Sequence, residues 1–344
     1  GPSNWTPDLI SRFRELRGYA PTRWLPTLTG TIIGSREESE KFLYDYRATL
    51  SELVATEYYE TIAEFTKEEG LVYYSEAIEG VRSMLGDDMA MRAPADIPMA
   101  AFWTFSSEEG PDAQLLGDMK GASSVANIYG QNLVALEALT AFSNPWGYAP
   151  SELRPMIDIA FAYGINRPVI HTSPHQPLDA APGASLFTFG QMFSRHETWA
   201  DQARVWTDYL ARSSFLLQQG SRVVDIGYVY GEDLPVTELY AEGIPEDAPA
   251  RYAFDFVNRD ALLNHLSVTN GQIVSSGGTH YKALYLGETT SFMTLRMLEK
   301  LAELTRAGAT IIGKRPIGAR CLKDTESDYE ALAVSLLIGA YITL

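Results

Sequence analysis

Cysteine is almost missing. Cys321 is the single one in 344 residues, so no internal disulfide can staple the chain and stability must come from buried apolar surface. Positive charge is also scarce: 27 Lys and Arg face 44 Asp and Glu, a formal net charge of −17. That balance excludes nucleic acid, whose phosphates need basic side chains, and an anionic membrane surface. No run of ~18 apolar residues occurs, so no membrane-spanning helix is expected. The opening Gly1-Pro2-Ser3-Asn4-Trp5 has no Met and does not read as a signal peptide.

What is present describes an ordinary folded protein. Apolar residues make up 46% and charged residues 21%, enough for large cores, and the length suits about two domains. Nineteen Tyr and six Trp either stack on sugar rings or fill a core.

Local signals divide the chain. Thr6 and Pro7 predict a helix start, Ile10, Phe13 and Leu16 its apolar face, and Gly18 its end. A long helix is expected over 36–69, with Phe42, Tyr46, Leu50, Leu53 and Tyr58 as its buried stripe. Residues 71–74 read as a short buried strand followed by Glu76 and Glu79, and 80–94 as a loop. Further strands are expected at 97–103, 133–136 (ending in Glu137) and 168–170 (ending in His171), with helices at 118–129, 150–163 and 196–217. Beyond these come a strand at 223–230 and a short helix at 260–266. Two strands flank Gly277-Gly278, a helix over 291–306 is capped by Ser291 and closed by Gly308, and a last strand covers 309–313.

A short apolar strand, a polar residue at its carboxyl end, a loop and a helix, repeated, indicate parallel βα units. The fold class expected is therefore α/β. A (β/α)8-type barrel spans 1–218, and a flavodoxin-like, amidotransferase-like doubly wound domain spans 219–344. About four barrel strands can be placed where a closed barrel needs eight, so the barrel is expected to be incomplete in this chain. Glu76, Glu137 and His171 would converge on its mouth.

Each candidate has two readings. Glu137 ends an apolar run, where a carboxylate is costly unless it is paired or used; it is either half of a structural ion pair or a catalytic group. Glu76 is a solvated loop acid, or it binds sugar hydroxyls or a cation. Glu76 with Glu137 is the acid/base pair if the chain is complete. His171 and His175 stand four apart, but Pro174 between them rules out a helical zinc pair; they bind sugar hydroxyls or serve structure. His196 reads as a cap or surface residue. Trp103 and Trp146 wall a pocket or pack a core. Gly277-Gly278 lacks a dinucleotide fingerprint, Cys321 lacks the strand-turn-helix of a nucleophile elbow, and no calcium-loop motif is visible.

Several stretches, in order, resemble glycoside hydrolase family 106, the α-L-rhamnosidases. They are Asn4-Trp5-Thr6-Pro7, Arg17-Gly18-Tyr19, Asp96-Ile97-Pro98-Met99 with Phe102-Trp103, Ile128-Tyr129-Gly130 and Ala135-Leu136-Glu137-Ala138-Leu139-Thr140. His171 with His175-Gln176-Pro177, Thr198-Trp199, Gly231-Glu232-Asp233 and residues 252–257 continue the series. The resemblance implies inverting hydrolysis of terminal α-L-rhamnosides, by two carboxyl groups ~6.5–9.5 Å apart. It implies Glu137 as the base and a barrel that carries the site. It also implies that members are much longer than this chain, with the acid placed just ahead of residue 1. Ala100-Ala101 stands where members often carry Gly-Glu, which removes one carboxylate. No organic cofactor is required; calcium near the sugar and a periplasmic or extracellular setting come from the resemblance alone. The expected partner is a rhamnose-containing oligosaccharide, polysaccharide or glycoside. The alternatives are a retaining β-galactosidase-like barrel enzyme, with carboxyl groups ~5–5.5 Å apart, and a carbohydrate-binding protein without catalysis.

Overall fold

The computed structural model describes residues 5–77, 86–142, 144–232, 234–249, 251–336 and 341–342; Asn4, Glu79 and Asp233 lie outside them. Helix α1 (Leu9–Arg17) ends as expected at Gly18, whose φ of 72° lets its N–H turn back to the Arg14 carbonyl. Thr6 is not its cap. Asp8 holds that position without a side-chain bond, and Thr6 contributes only its carbonyl, to Leu9 N–H. The helix expected over 36–69 is one helical path in three parts: α2 (Arg36–Leu53), a π-helical stretch (Val54–Glu60) and α3 (Thr61–Glu68). Ser35 and Glu38 start it with a capping box. Phe42, Tyr46 and Leu50 pack with Phe13 and Trp24. Tyr58 does not join them and is 59% exposed, because π turns take more residues per turn and rotate later side chains off a 3.6-residue stripe.

The first sheet holds four parallel strands in the order β1 (Tyr74–Ser75), β2 (Ile97–Phe102), β3 (Ala135–Ala138), β4 (Arg167–Ile170). The buried strand expected over 71–74 is corrected. Leu71 and Val72 are exposed, and β1 pairs with β2 through only two residues at the sheet edge. Part of the loop expected over 80–94 lies outside the described residues; its latter half contains helix α4 (Asp88–Arg92), started by the Asp87 carboxylate on Met89 and Ala90 N–H. Helix α5 (Ala113–Tyr129) begins five residues before the expected start, because Asp112 caps it through Gln114 and Leu115 N–H. Helix α6 (Pro150–Ala162) joins β3 to β4. The strand expected to end in Glu137 runs one residue further, to Ala138, and Glu137 pairs opposite Ala101 and Val169. Among the described residues this sheet is open.

Helix α7 (Ala203–Leu217) follows a single 3-10 turn, so the helix expected from 196 starts late. Glu197 accepts from Gln191 and Thr198, and these local bonds occupy the segment in place of helical ones. Next come β5 (Ile226–Val229), α8 (Val236–Leu239) and β6 (Phe254–Val257). Val223, taken as strand, is exposed, and β6 was not foreseen as a strand. The helix expected at 260–266 is a π-helical turn, Ala261–His265. Strands β7 (Leu266–Thr269), β8 (Gln272–Ser275) and β9 (His280–Tyr281) form an antiparallel sheet, turning at Gly277-Gly278 as anticipated. The remaining elements are β10 (Ala283–Leu286), β11 (Phe292–Met293), α9 (Leu295–Arg306), β12 (Ile311–Gly313), β13 (Gly318–Ala319), α10 (Glu326–Leu336) and β14 (Tyr341–Ile342). Ser291 falls in a 3-10 turn and does not cap α9; Thr294 does, accepting from Met297 N–H. The larger sheet is wholly parallel in the order β14-β12-β10-β5-β6. Numbered within itself it reads 5-4-3-1-2.

Helix α5 lies between the two parallel sheets, so nearly all of its faces are buried and it lacks a strong apolar stripe. On one side Asp118 accepts from Ala101 N–H of β2 (2.7 Å) and pairs with buried Arg92. On the other side Lys120 donates to the Phe254 carbonyl, and Ser124 accepts from Phe256 N–H (2.9 Å). Burial pushes the Lys120 ammonium down to about 7. Gly117 is required where α5 meets Tyr240, since a Cβ there would lie 2.8 Å from the Tyr240 Cβ.

Candidate functional site

Strand β3 presents Glu137 at the carboxyl end of the first sheet, half-buried between the buried Leu136 and Ala138. Two donors meet on one of its oxygens. Trp103 Nε1–H reaches Oε1 at 3.2 Å, and the Thr140 hydroxyl donates to the same atom. Thr140 can turn back so sharply because Leu139, fully buried, has a φ of +71°. The left-handed region is uncommon for a residue with a Cβ and costs roughly 1–3 kcal/mol. It is held here by Leu139 N–H on the Phe102 carbonyl (3.1 Å) and by Thr104 N–H on the Thr140 carbonyl (2.8 Å).

The Thr140 hydroxyl also lies 3.1 Å from His171 Nδ1. A hydroxyl has one proton. With that proton on Glu137, it can only accept from the imidazole, which puts the ring proton on Nδ1. The result is a directed chain, His171 to Thr140 to Glu137. It leaves Oε2 as the carboxylate oxygen without these two donors. His171 follows β4, and its backbone is held by Ala138 and by the segment at Gln191.

An aromatic face adjoins the carboxylate. Trp103 meets Phe142 edge-on with centroids 4.8 Å apart, and Phe142 meets Phe189 at 5.0 Å. Phe142 and Phe189 are about half exposed, and half-exposed rings in a row suit a sugar's apolar faces.

Of the residues expected from sequence, Trp103, Glu137 and His171 come together. Glu76 follows β1 at the same carboxyl rim, half-buried, where its charge acts on Arg92 and Tyr59. Trp146 is half-buried in the loop after β3, and His175 is exposed in the loop after β4. The His196 side chain is only 9% exposed and lies beside the Leu178 carbonyl (3.3 Å) and the exposed Asp179 (3.9 Å), so it is not a free surface residue. Sequence reasoning missed Thr140 as a contact, and it missed Phe142 and Phe189. Only the position of Thr140 three residues after Glu137 hinted at its role. Among the described residues no three His, Cys, Asp or Glu gather at metal-ligand spacing.

Comparison with known proteins gives one family. A family model described as alpha-L-rhamnosidase, glycoside hydrolase family 106, matches residues 1–343. The solved rhamnosidase from Novosphingobium sp. PP1Y is 50% identical with a TM-score of 0.96, over 100% of this chain and 34% of that one. A curated protein of Formosa agariphila named putative beta-glucuronidase is 35% identical over 92% of this chain and 26% of its own length. A beta-galactosidase from Rahnella sp. R3 shares the fold, with a TM-score of 0.55 at 13% identity over 93% of this chain and 50% of that one. The chain thus spans about a quarter of the Formosa protein and a third of the Novosphingobium rhamnosidase.

Proposed function

The chain belongs to glycoside hydrolase family 106, the α-L-rhamnosidases, and from that premise we propose that it supplies the base side of a centre that hydrolyses terminal α-L-rhamnosides with inversion. The observation that carries this reading is the Glu137 carboxylate, with Oε1 taken by Trp103 and Thr140. Two donors on Oε1 fix the plane of the carboxylate, so Oε2 is the oxygen that takes a proton from water. As that water attacks the anomeric carbon, the bond to the leaving oxygen breaks and a carboxylic acid opposite protonates it.

The half-exposed Trp103–Phe142–Phe189 row is the wall on which the rhamnose methyl and ring carbons rest. His171, with its proton on Nδ1, offers Nε2 to a sugar hydroxyl. Glu76, Trp146 and His175 follow β1, β3 and β4 on the same rim and meet outer parts of the substrate. In this reading the four-stranded sheet, within residues 1–218, is an arc of a (β/α)8 barrel, and 219–344 is a flavodoxin-like domain. Calcium takes six to eight oxygens. The described residues around Glu137 bring one carboxylate and one hydroxyl, which does not fit that demand, and no step here runs through a cation.

The direct test is NMR of the first sugar released from an aryl α-L-rhamnoside by the full natural polypeptide that carries this chain. β-L-Rhamnose appearing first is the expected result; α-L-rhamnose first would replace inversion with the retaining mechanism of the β-galactosidase-like alternative. Thr140 is a positioning residue in the same scheme. Thr140→Val removes a hydrogen bond to a charged group, worth ~1.5–3 kcal/mol, and is expected to lower kcat by about tenfold or more while leaving KM nearly unchanged. Thr140→Ser should restore most of the rate. Equal loss in the serine variant would show that the methyl group, and not the hydroxyl, matters.

A further inference from the structure

A cavity of about 520 Å³ lies away from Glu137 and shares none of the residues Trp103, Glu137, Thr140 and His171. It opens between α2 and the carboxyl edge of the larger sheet, where the segments after β5 and β6 supply Glu232 and Asn258–His265 and the start of α9 supplies Arg296. That is the edge where ligands of doubly wound sheets bind, outside the carboxyl ends of strands near the reversal of strand order. Its volume is within the usual range for small-molecule sites.

The backbone around it is unusual. Both π-helical stretches found among the described residues, Val54–Glu60 and Ala261–His265, contribute to its lining. π-Helical turns are rare and recur at functional sites, and two facing one cavity are difficult to explain by packing alone.

The lining selects the ligand. Five carboxylates face three guanidiniums. Arg17 is already bound to Glu52 at 2.8 Å and Arg259 to Glu232 at 3.1 Å. The unbalanced charge is therefore negative, which repels phosphates and carboxylates. No metal-binding group of three forms among the described residues. The amides and the imidazole already hold neighbours, Asn258 on Asp87 (3.1 Å), Asn264 on Asp260 (2.7 Å) and His265 Nδ1 beside the Ser276 hydroxyl (3.1 Å), so the lining offers the further lone pairs of these carboxylates together with Arg296, flanked by Tyr44 and Tyr129. Hydroxyl groups, which donate and accept at once, match such a set.

We propose that this cleft is a second saccharide-binding site, taking a neutral mono- or disaccharide and holding it apart from the hydrolytic centre. Such a site would tether a branched or long glycan while another of its sugars is processed, and the apparent affinity would rise through effective concentration. The proposal does not depend on Glu137 being catalytic.

The test is calorimetric titration of the full natural polypeptide with D-galactose and lactose, which the rhamnose centre is not proposed to hold, and with spermidine and inorganic phosphate as charged probes. At least one neutral sugar is expected to bind wild type and Glu137→Gln alike. Its binding should weaken by about tenfold or more in Ala48→Trp, which fills the cleft from α2, and in Asn264→Leu, which removes a polar group from its lining. Circular dichroism confirms that each variant is folded. The proposal is overturned if no sugar binds, if sugar binding survives both cleft variants, or if it vanishes in Glu137→Gln. It is equally overturned if spermidine or phosphate is the probe whose binding the cleft variants abolish. Failure of the rhamnosidase reading shows separately, as unchanged hydrolysis by Glu137→Gln.

Discussion

Glu137→Gln is expected to lower hydrolysis of an aryl α-L-rhamnoside by about 10²–10⁴-fold, the usual contribution of a positioned general base. The substitution is close to isosteric, so the Trp103 and Thr140 contacts to the retained oxygen need not be lost. What disappears is the ability of the second position to accept a proton. Binding of the rhamnoside should change far less than turnover, because the aromatic row and His171 stay in place. Because Glu137 has no salt-bridge partner among the pairs formed by the described residues, a purely structural role predicts the opposite pattern: a changed melting temperature with near-normal turnover. Rates within a few-fold of wild type, on folded protein, would remove Glu137 from the mechanism.

Asp118→Ala is expected to destabilise the protein by about 3–5 kcal/mol, the cost of removing one partner from a buried ion pair. Arg92 and Asp118 have side chains 0% and 1% exposed. Arg92 also donates to the Met99 carbonyl at 3.0 Å and lies 3.7 Å from Asp88. Burial pushes the Arg92 guanidinium down and the Asp88 carboxyl up, each disfavouring its charged form. Without Asp118, a guanidinium stays in the core with its best partner gone, and Ala101 N–H loses its acceptor in β2. Urea denaturation of Asp118→Ala, and of Arg92→Met combined with Asp118→Leu, would test this. The double change should cost less than the single one, since apolar replacement removes both charges. A single-variant loss below ~0.5 kcal/mol would place the pair with ordinary surface substitutions.

The alternation of apolar strands with helices was legible because parallel strands buried on both faces read as continuous apolar runs, as at 97–102 and 135–138. Glu137 stood out because a carboxylate breaks such a run. The same logic overreached at Leu71 and Val72, since composition does not distinguish a central strand from a chain passing a sheet edge. Tyr58 was misassigned because a π turn changes the period without a residue that announces it. Thr140 was hidden for a related reason: its return to Glu137 depends on a left-handed Leu139, a conformation no propensity assigns to leucine. The start of α5 was placed late because a helix walled on both sides loses the one-sided pattern that periodicity detects.

That doubly walled helix has a consequence for how the polypeptide matures on the ribosome. The helix is finished at Tyr129, yet the strand that receives Lys120 and Ser124 ends only at Val257. At about 5–20 residues per second, roughly 130 further residues take about 6–25 s to emerge. Throughout that interval a central ammonium and a row of hydroxyls and small apolar side chains face water or a chaperone, waiting for a wall not yet synthesised.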